Sequence, residues 1–223
     1  ESTLYLLKGL KMKLTCKNCN HIYTGHYCSN CGQTTEPNRI NFHFLWHEIR
    51  HSLFHFDEGI LYSGKQLFTR PGHTIREFIE GKRIKHLKPI SLVIVLASLY
   101  GFMYHYFHIS FVETTAQSST ESGIDNVKFN EWMGTHYAWT TLLLIPLYTI
   151  GTSIAFRKQG YNVVEYFIMN TFKASQKLFV HIALFPLLYL FNGTPKMKIL
   201  SLIIYLIDVV FIYWTNAQFF NKM

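Results

Sequence analysis

Four cysteines near the start of the chain are the clearest indication of chemistry in the sequence. They form two Cys-x-x-Cys pairs, CKNC and CSNC, which are separated by eight residues. In zinc ribbons this spacing lets four thiolates close a tetrahedral shell around one ion, with no open position for a substrate. Binding of the metal would supply the folding free energy of so short a segment. We therefore predict one structural Zn²⁺ in a ribbon at residues 12–36, bound by Cys16, Cys19, Cys28 and Cys31.

The segment at residues 12–36, called the head below, also allows other interpretations of its cysteines and partners. Two disulfide bonds would use the same cysteines, but the cytoplasmic location expected below argues against them. His21 and His26 could each replace a cysteine ligand. Ribbons often bind nucleic acid or other proteins. This one has few basic residues beyond Lys13 and Lys17, so we expect no nucleic acid and leave a protein partner open.

A second candidate metal site is the sequence HEIRH, which matches the H-E-x-x-H pattern of zinc proteases. His47 and His51 are four residues apart on an expected helix and could share one ion, with Glu48 as the base. A protease also needs a third ligand and an open water position, for which the sequence offers only the weak candidates Asp57 and His73. Histidine recurs here at every fourth residue, so the pattern also arises by chance.

The helix that carries these histidines is expected to begin after Asn41, a good N-cap, and to end at Gly59. Its apolar face would hold Phe42, Leu45, Trp46, Ile49, Leu53 and Phe56. Its opposite face would hold His43, His47, His51 and His55. Such a helix lies in a membrane interface or packs across the cytoplasmic ends of membrane spans. Three interpretations of the polar face stay open. It is a solvated or headgroup-facing surface, or it is a protease site, or it is a polar or second metal site at His51, His55 and Asp57.

Three segments closely resemble a bacterial family called domain of unknown function three-six-six-seven. They read CKNC…YCSNCGQ, HSLFHFDEGILYS and LFTRPGHTIREFIEGKRIKHLKPIS, and they cover the chain from Cys16 to about Ser91. The resemblance implies a zinc ribbon followed by about four transmembrane helices, and it supplies no known activity. It favours the H-x3-H-x-D that begins at His51, and neither His47 nor Glu48 is part of it. The family pattern falls on His51, His55, Asp57, Gly59, Pro71, Gly72, Gly81, Lys82, Arg83 and Pro89.

The composition is that of a membrane protein. Hydrophobic residues make up 49% of the chain and charged residues only 15%, against roughly 25% charged in soluble domains. Four apolar runs approach the ~20 residues that cross a bilayer, at about residues 89–109, 137–156, 177–191 and 199–219. We predict an all-α polytopic membrane protein of about four transmembrane helices, with a small N-terminal zinc ribbon and interfacial amphipathic helices.

Loop charges predict the orientation and the division of the chain. Basic residues precede the first run and follow the second, whereas the loop between them is acidic. By the positive-inside rule, both termini face the cytoplasm of a bacterial inner membrane. We expect a leader at residues 1–11 that is not native, the ribbon at 12–36, cytoplasmic interfacial helices with a basic collar at 41–88, and the transmembrane region at 89–223.

The basic collar contains a candidate phosphate site. Arg76, Lys82 and Arg83 could bind the phosphate of a lipid or substrate, because guanidinium groups bind phosphate bidentately. The alternative is a general anchor on anionic lipid headgroups. Residues 74–77 fit a capping box, so a helix is expected to begin at Thr74 and to end at Gly81.

Asp208 is the conspicuous polar residue inside the predicted spans. An ionisable group at such a position costs at least ~2.5–3.5 kcal/mol, so it should face the interior of the bundle. His181, expected toward the same cytoplasmic half, is its nearest plausible partner. The pair could be a buried structural hydrogen bond, a proton relay or a substrate contact.

These patterns favour a binding protein, either a scaffold or a handler of lipids or small amphipathic molecules. The sequence contains no P-loop, G-x-G-x-x-G or G-x-S-x-G pattern. The alternative is a membrane-embedded enzyme, metal-dependent or acid–base, that uses His51, His55 and Asp57 at the cytoplasmic leaflet. A transporter is the third hypothesis.

Overall fold

The structure is a computed structural model of the chain of 223 residues. It describes residues 13–34, 39–42, 45–46, 59–84, 86, 88–109, 132 and 135–221. Two short β-strands and six α-helices lie in this part of the chain. The strands belong to an N-terminal head, and the helices form a bundle that accounts for most of the buried surface.

The head is a small hairpin built around the cysteines. Strand β1 (Leu14–Thr15) pairs antiparallel with β2 (Ile22–Tyr23). Each Cys-x-x-Cys pair sits in a tight turn closed by backbone hydrogen bonds, such as that from the N–H of Gly32 to the carbonyl of Cys28. Among the described residues of the head, the buried hydrophobic ones are Cys16, Tyr23 and Cys28. This apolar core is small, as is usual for short segments whose fold is stabilised by a metal or by disulfide bonds.

Two short helices precede the long helices of the bundle. Helix α1 covers Gly59–Thr69 and α2 covers Pro71–Glu80. The predicted start of the second helix at Thr74 is wrong, because the helix begins at Pro71. A proline is tolerated there because N–H groups of the first turn have no partner within the helix. The Thr74 hydroxyl instead donates to the carbonyl of Gln66. Gly81 ends α2 in the left-handed conformation, as expected.

Four long helices complete the bundle. They are α3 (Pro89–Tyr106), α4 (Tyr137–Ala155), α5 (Val163–Leu190) and α6 (Lys196–Phe220). Among the described residues, α3, α4 and α6 are long and apolar enough to cross a membrane. These three helices correspond to the first, second and fourth predicted spans. The chain is therefore a mostly helical membrane protein with three candidate spans.

Helix α5 contains the third predicted span and occupies the centre of the bundle. It begins at a complete capping box, in which the Asn162 side chain accepts from the Glu165 N–H and Glu165 accepts from the Asn162 N–H. The helix packs against α1, α2, α3, α4 and α6. Its interior face mixes apolar residues such as Ile168 and Phe172 with buried polar ones. This mixture distinguishes α5 from its more apolar neighbours.

Helix α2 docks across the C-terminal end of α6. The backbone of Gly72 approaches Gln218 and Phe219 so closely that a Cβ atom at position 72 would overlap both residues. The N–H of Gly72 also donates to the Gln218 side chain at 3.2 Å. Phe78, on the buried face of α2, packs edge-on against Phe172 of α5. Gly72 is therefore required by close contact between two elements that are far apart in sequence.

Replacement of Gly72 by alanine should destabilise the bundle. The added methyl group must displace the backbone of α6, which costs about 1–3 kcal/mol for overpacking. We expect a lower apparent unfolding temperature in detergent. Gly151→Ala is the matched control, because nothing lies within 4 Å of a Cβ at that exposed position of α4, and alanine should be neutral or stabilising by up to about 1 kcal/mol. Equal unfolding temperatures for the two variants would contradict the docking geometry.

Candidate functional site

The four cysteine sulfurs lie together in the head. All four Sγ atoms are within 4.8 Å of one another, with Cys16 Sγ 3.5 Å from Cys31 Sγ and Cys19 Sγ 3.6 Å from Cys28 Sγ. Tetrahedral Zn–S bonds of about 2.3 Å would place sulfurs about 3.8 Å apart, so the cluster fits one ion. The distances also exceed an S–S bond of about 2.05 Å, and all four cysteines are free. The predicted clustering of the four cysteines at metal-binding distance is confirmed.

The pKa values of two of the thiols are shifted in opposite directions. Burial raises the pKa of Cys16 to about 11, whereas a hydrogen bond from the His21 backbone N–H lowers the pKa of Cys19 to about 6. A bound divalent cation would hold both as thiolates. Within the described residues the cluster contains only cysteines, and the His21 and His26 side chains are exposed.

The chain that leaves the head is fixed to the start of α5. The Arg39 guanidinium binds both carboxylate oxygens of Glu165, at 2.9 and 3.1 Å, and donates to the carbonyl of Gly160. The Asn162 side chain donates to the carbonyl of Ile40, which is fully buried. These contacts form a clamp, defined here as Arg39 and Ile40 with their partners, that joins the segment after the head to the helical bundle.

The histidine-rich helix lies mostly outside the described residues. His47, Glu48, His51, His55 and Asp57 all lie outside the described residues. The protease pattern and the H-x3-H-x-D pattern therefore stay predictions.

Arg76 binds the C-terminal end of α6. Its Nη2 donates to the backbone carbonyls of Gln218 at 2.8 Å, of Asn221 at 3.0 Å and of Phe219. These carbonyls lack partners within the helix, and a cation there also interacts favourably with the helix dipole. In the structure this guanidinium serves as a helix cap, which differs from the phosphate contact predicted for it.

Lys82 and Arg83, the other predicted phosphate ligands, follow directly after α2. Lys82 Nζ lies 3.2 Å from Glu77 Oε1. Arg83 Nε donates to the carbonyl of Phe78 at 3.1 Å, and its guanidinium lies over the Phe78 ring. Burial lowers the pKa of the neighbouring His86 to about 4, so that imidazole is neutral at physiological pH. The loop after α2 is thus held against the bundle, with charged groups at its surface.

The structure brings His181 to Asp208. His181 Nε2 lies 3.0 Å from Asp208 Oδ2, and Lys177 Nζ lies 3.4 Å from the same oxygen. The Asp208 side chain is 9% exposed and the Lys177 side chain 48%. Asp208 Oδ1 is buried and has no hydrogen-bond partner among the described residues. A carboxylate, an imidazole and an ammonium group in contact can form a structural ion pair or exchange a proton.

The position of this cluster along the bundle differs from the prediction. Tyr100 contacts both His181, at 5.7 Å between ring centroids, and Tyr137, at 4.7 Å. Tyr137 is the first residue of α4, whereas the other end of α4 meets the start of α5 through the bond from the Tyr166 hydroxyl to the carbonyl of Phe156. His181 therefore lies away from the end where α5 begins, and so outside the predicted cytoplasmic half.

Two functional contacts were missed by sequence reasoning. Lys177 precedes His181 by four residues, and this helical spacing places both side chains on one face, so the sequence did contain a signal for it. The ion pair between Arg39 and Glu165 joins residues 126 positions apart, and no local sequence pattern predicts it.

Comparison with known proteins identifies part of the chain. Residues 57–101 match the model of a family described as Protein of unknown function (DUF3667). The match covers Asp57, α1, α2 and most of α3, and it confirms the family resemblance seen in the sequence. A search of curated proteins and a search of solved structures each found no match.

The Asp208 cluster can be tested by a double-mutant cycle. Asp208→Asn removes the negative charge beside Lys177 and should destabilise the protein by on the order of 1–2 kcal/mol, less than a fully buried pair because Lys177 is half exposed. Combination with Lys177→Met should cost less than the sum of the two single changes. The unfolding of all four proteins is measured in the same detergent. Additive effects would show that the contact contributes no coupling energy.

Proposed function

We propose that the chain is a four-span protein of the bacterial inner membrane that binds anionic lipid headgroups and acts as a scaffold. Both termini would face the cytoplasm, with the head carrying one structural zinc ion. The observation that carries this proposal is the distribution of charge over the two ends of the helical bundle. The family match assigns no activity, so the proposal depends on the geometry alone.

One end of the bundle gathers the basic residues. We call it the basic end: α2, the start of α3, the C-terminal ends of α4 and α6, and the start of α5. Phe156 stacks on Phe220, and Tyr161 contacts Phe219, which joins these elements. The described basic residues there are Arg39, Arg70, Arg76, Lys82, Arg83, Lys88, Arg157 and Lys158, against the acidic Glu77, Glu80 and Glu165. This excess of positive charge is expected where helices meet an anionic cytoplasmic leaflet.

Helix α5 supplies the fourth span in this proposal. Its apolar portion follows Lys177, and its 28 residues exceed the ~20 needed to cross a bilayer. Polar side chains in its first half are paired within the bundle. Gln176 donates to the carbonyl of Leu67 and accepts from Thr215, and Asn170 bonds to Thr149 and Thr152. Paired groups of this kind are compatible with a membrane interior.

The four-thiolate cluster supports a structural role for the head. A closed shell of four sulfurs has no position for substrate or activated water. The rival function is a membrane-embedded enzyme that uses His51, His55 and Asp57, which would need a second ion or metal-free acid–base chemistry. A transporter is favoured by one observation, the buried and unpaired Oδ1 of Asp208, and would require that Asp208→Asn abolish a measured flux.

Metal analysis of the purified protein separates the scaffold from the metal-dependent enzyme. We expect one zinc per chain, lost in Cys16→Ser because three remaining thiolates bind far more weakly. Ser29→Ala, an exposed change inside the second cysteine pair, should keep the ion. A second ion that survives Cys16→Ser and disappears in His51→Ala or Asp57→Ala would contradict the scaffold proposal.

Lipid binding is tested by neutralising two positive charges at the basic end of the bundle. In nanodiscs of phosphatidylglycerol and phosphatidylcholine, Lys82→Gln with Lys88→Gln should reduce the phosphatidylglycerol retained by the protein. The loss should be about fivefold per charge at low salt, since each basic residue contributes about 1 kcal/mol near an anionic surface. Retained lipid is measured by native mass spectrometry.

The control for this experiment is Lys82→Arg with Lys88→Arg, which keeps both positive charges and should leave lipid retention unchanged. Equal losses in the two pairs would overturn the assignment of the basic end. An Arg83→Lys variant then separates two forms of the proposal: a loss of lipid despite the retained charge indicates a bidentate phosphate site, and normal retention indicates a general positive surface.

A further inference from the structure

Phe42 and Trp46 form an exposed aromatic pair beside the clamp. The N–H of Leu45 donates to the carbonyl of Asn41 at 3.0 Å, and Phe42, Leu45 and Trp46 are helical. Leu45 packs against the core of the bundle, whereas Phe42 is 72% exposed and Trp46 is 67% exposed. Residues four apart share one face of a helix. Two large aromatic side chains therefore point away from the protein on a helical turn whose other face is buried.

The clamp fixes the level of this pair along the bundle. Ile40 is buried two residues before Phe42, and its carbonyl accepts from the Asn162 side chain at 2.9 Å. Arg39 is bound to Glu165 and Gly160. The pair is thus attached to the turn between α4 and α5, where the chain leaves one long apolar helix and enters the next.

The surroundings of the pair are those of a membrane boundary. Ile154, near the end of the candidate span α4, is 68% exposed, and Val163, at the start of α5, is 52% exposed. Arg157 and Lys158 lie exposed in the turn between them. Aromatic side chains are enriched where spans leave the hydrocarbon core, and basic residues at that level attract anionic headgroups. The clamp therefore holds the aromatic pair near a turn at which exposed apolar and basic side chains occur together.

We propose that Phe42 and Trp46 insert into the lipid headgroup layer at the basic end and hold the segment that follows the metal head on the membrane surface. The occupant of this aromatic face is the bilayer itself, since apolar rings flanked by cationic side chains match the boundary between acyl chains and phosphates. The inference depends on the membrane placement of α4. It does not depend on the scaffold role or on the identity of the metal.

Tryptophan fluorescence tests the insertion directly. The chain has four tryptophans, Trp46, Trp132, Trp139 and Trp214. A variant that keeps only Trp46 is reconstituted in phosphatidylcholine vesicles with phosphatidylglycerol, using lipids brominated at different depths of the acyl chain. We expect quenching that is strongest for bromine near the headgroup, together with protection from iodide in the buffer.

A variant that keeps only Trp139 is the control for reconstitution, because Trp139 is exposed on α4 and should be quenched by brominated lipid. If Trp139 is quenched while Trp46 responds to iodide alone, the pair faces water and the proposal is wrong. Protection of Trp46 from both quenchers would show that protein covers it, which also overturns the proposal. Failure of the Trp139 control would instead count against the membrane placement on which the proposed function depends.

A second measurement avoids multiple substitutions. The quenching of the unmodified chain is compared with that of Trp46→Phe, and the difference gives the contribution of Trp46. We expect this difference to be largest with shallow bromine and to shrink in Phe42→Ser, since loss of the neighbouring ring weakens insertion. A difference of zero with brominated lipid of every depth would overturn the proposal without the triple variant.

Discussion

Helix α5 carries polar side chains into the centre of an apolar bundle, where each must find a hydrogen-bond partner within the protein. Asn170 finds its partners on α4, Gln176 on α1 and α6, and Lys173 on Asn216 of α6. Each bond specifies which helix lies beside α5 and at which level. Apolar packing alone would tolerate sliding of one helix along another, so this set of paired groups defines the register of the bundle.

The same requirement explains how the ends of the bundle are closed. Glu165 is buried at the start of α5, and its carboxylate is satisfied by Arg39 and by the N–H of Asn162. At the C-terminal end of α6, the free carbonyls are satisfied by Arg76. One guanidinium thus joins the segment after the metal head to α5, and another joins α2 to α6. These polar contacts fix the segment after the head, and helix α2, to the rest of the bundle.

The features that could be predicted from the sequence are those with a local signal. Apolar runs located α3, α4 and α6 to within a few residues, and the cysteine spacing predicted the four-sulfur cluster. The contacts that position α1 and α2 were not predicted, because Gly72 and Gln218 are 146 residues apart. The capping pattern at Thr74 failed because a proline three residues earlier competes for the same helix start. Short-range patterns cannot weigh such competition against tertiary packing.

Arg76 shows why a basic pattern alone does not define a ligand site. It lies within the segment that matches the family model, close to Lys82 and Arg83 in sequence. Its donors are nonetheless directed at backbone carbonyls of residues 218–221, outside that segment. Because those carbonyls and the contact at Gly72 both belong to the end of α6, the matched segment cannot adopt this packing without the last helix. Exposed positive charge at the basic end therefore lies elsewhere, on Lys88, Arg157 and Lys158.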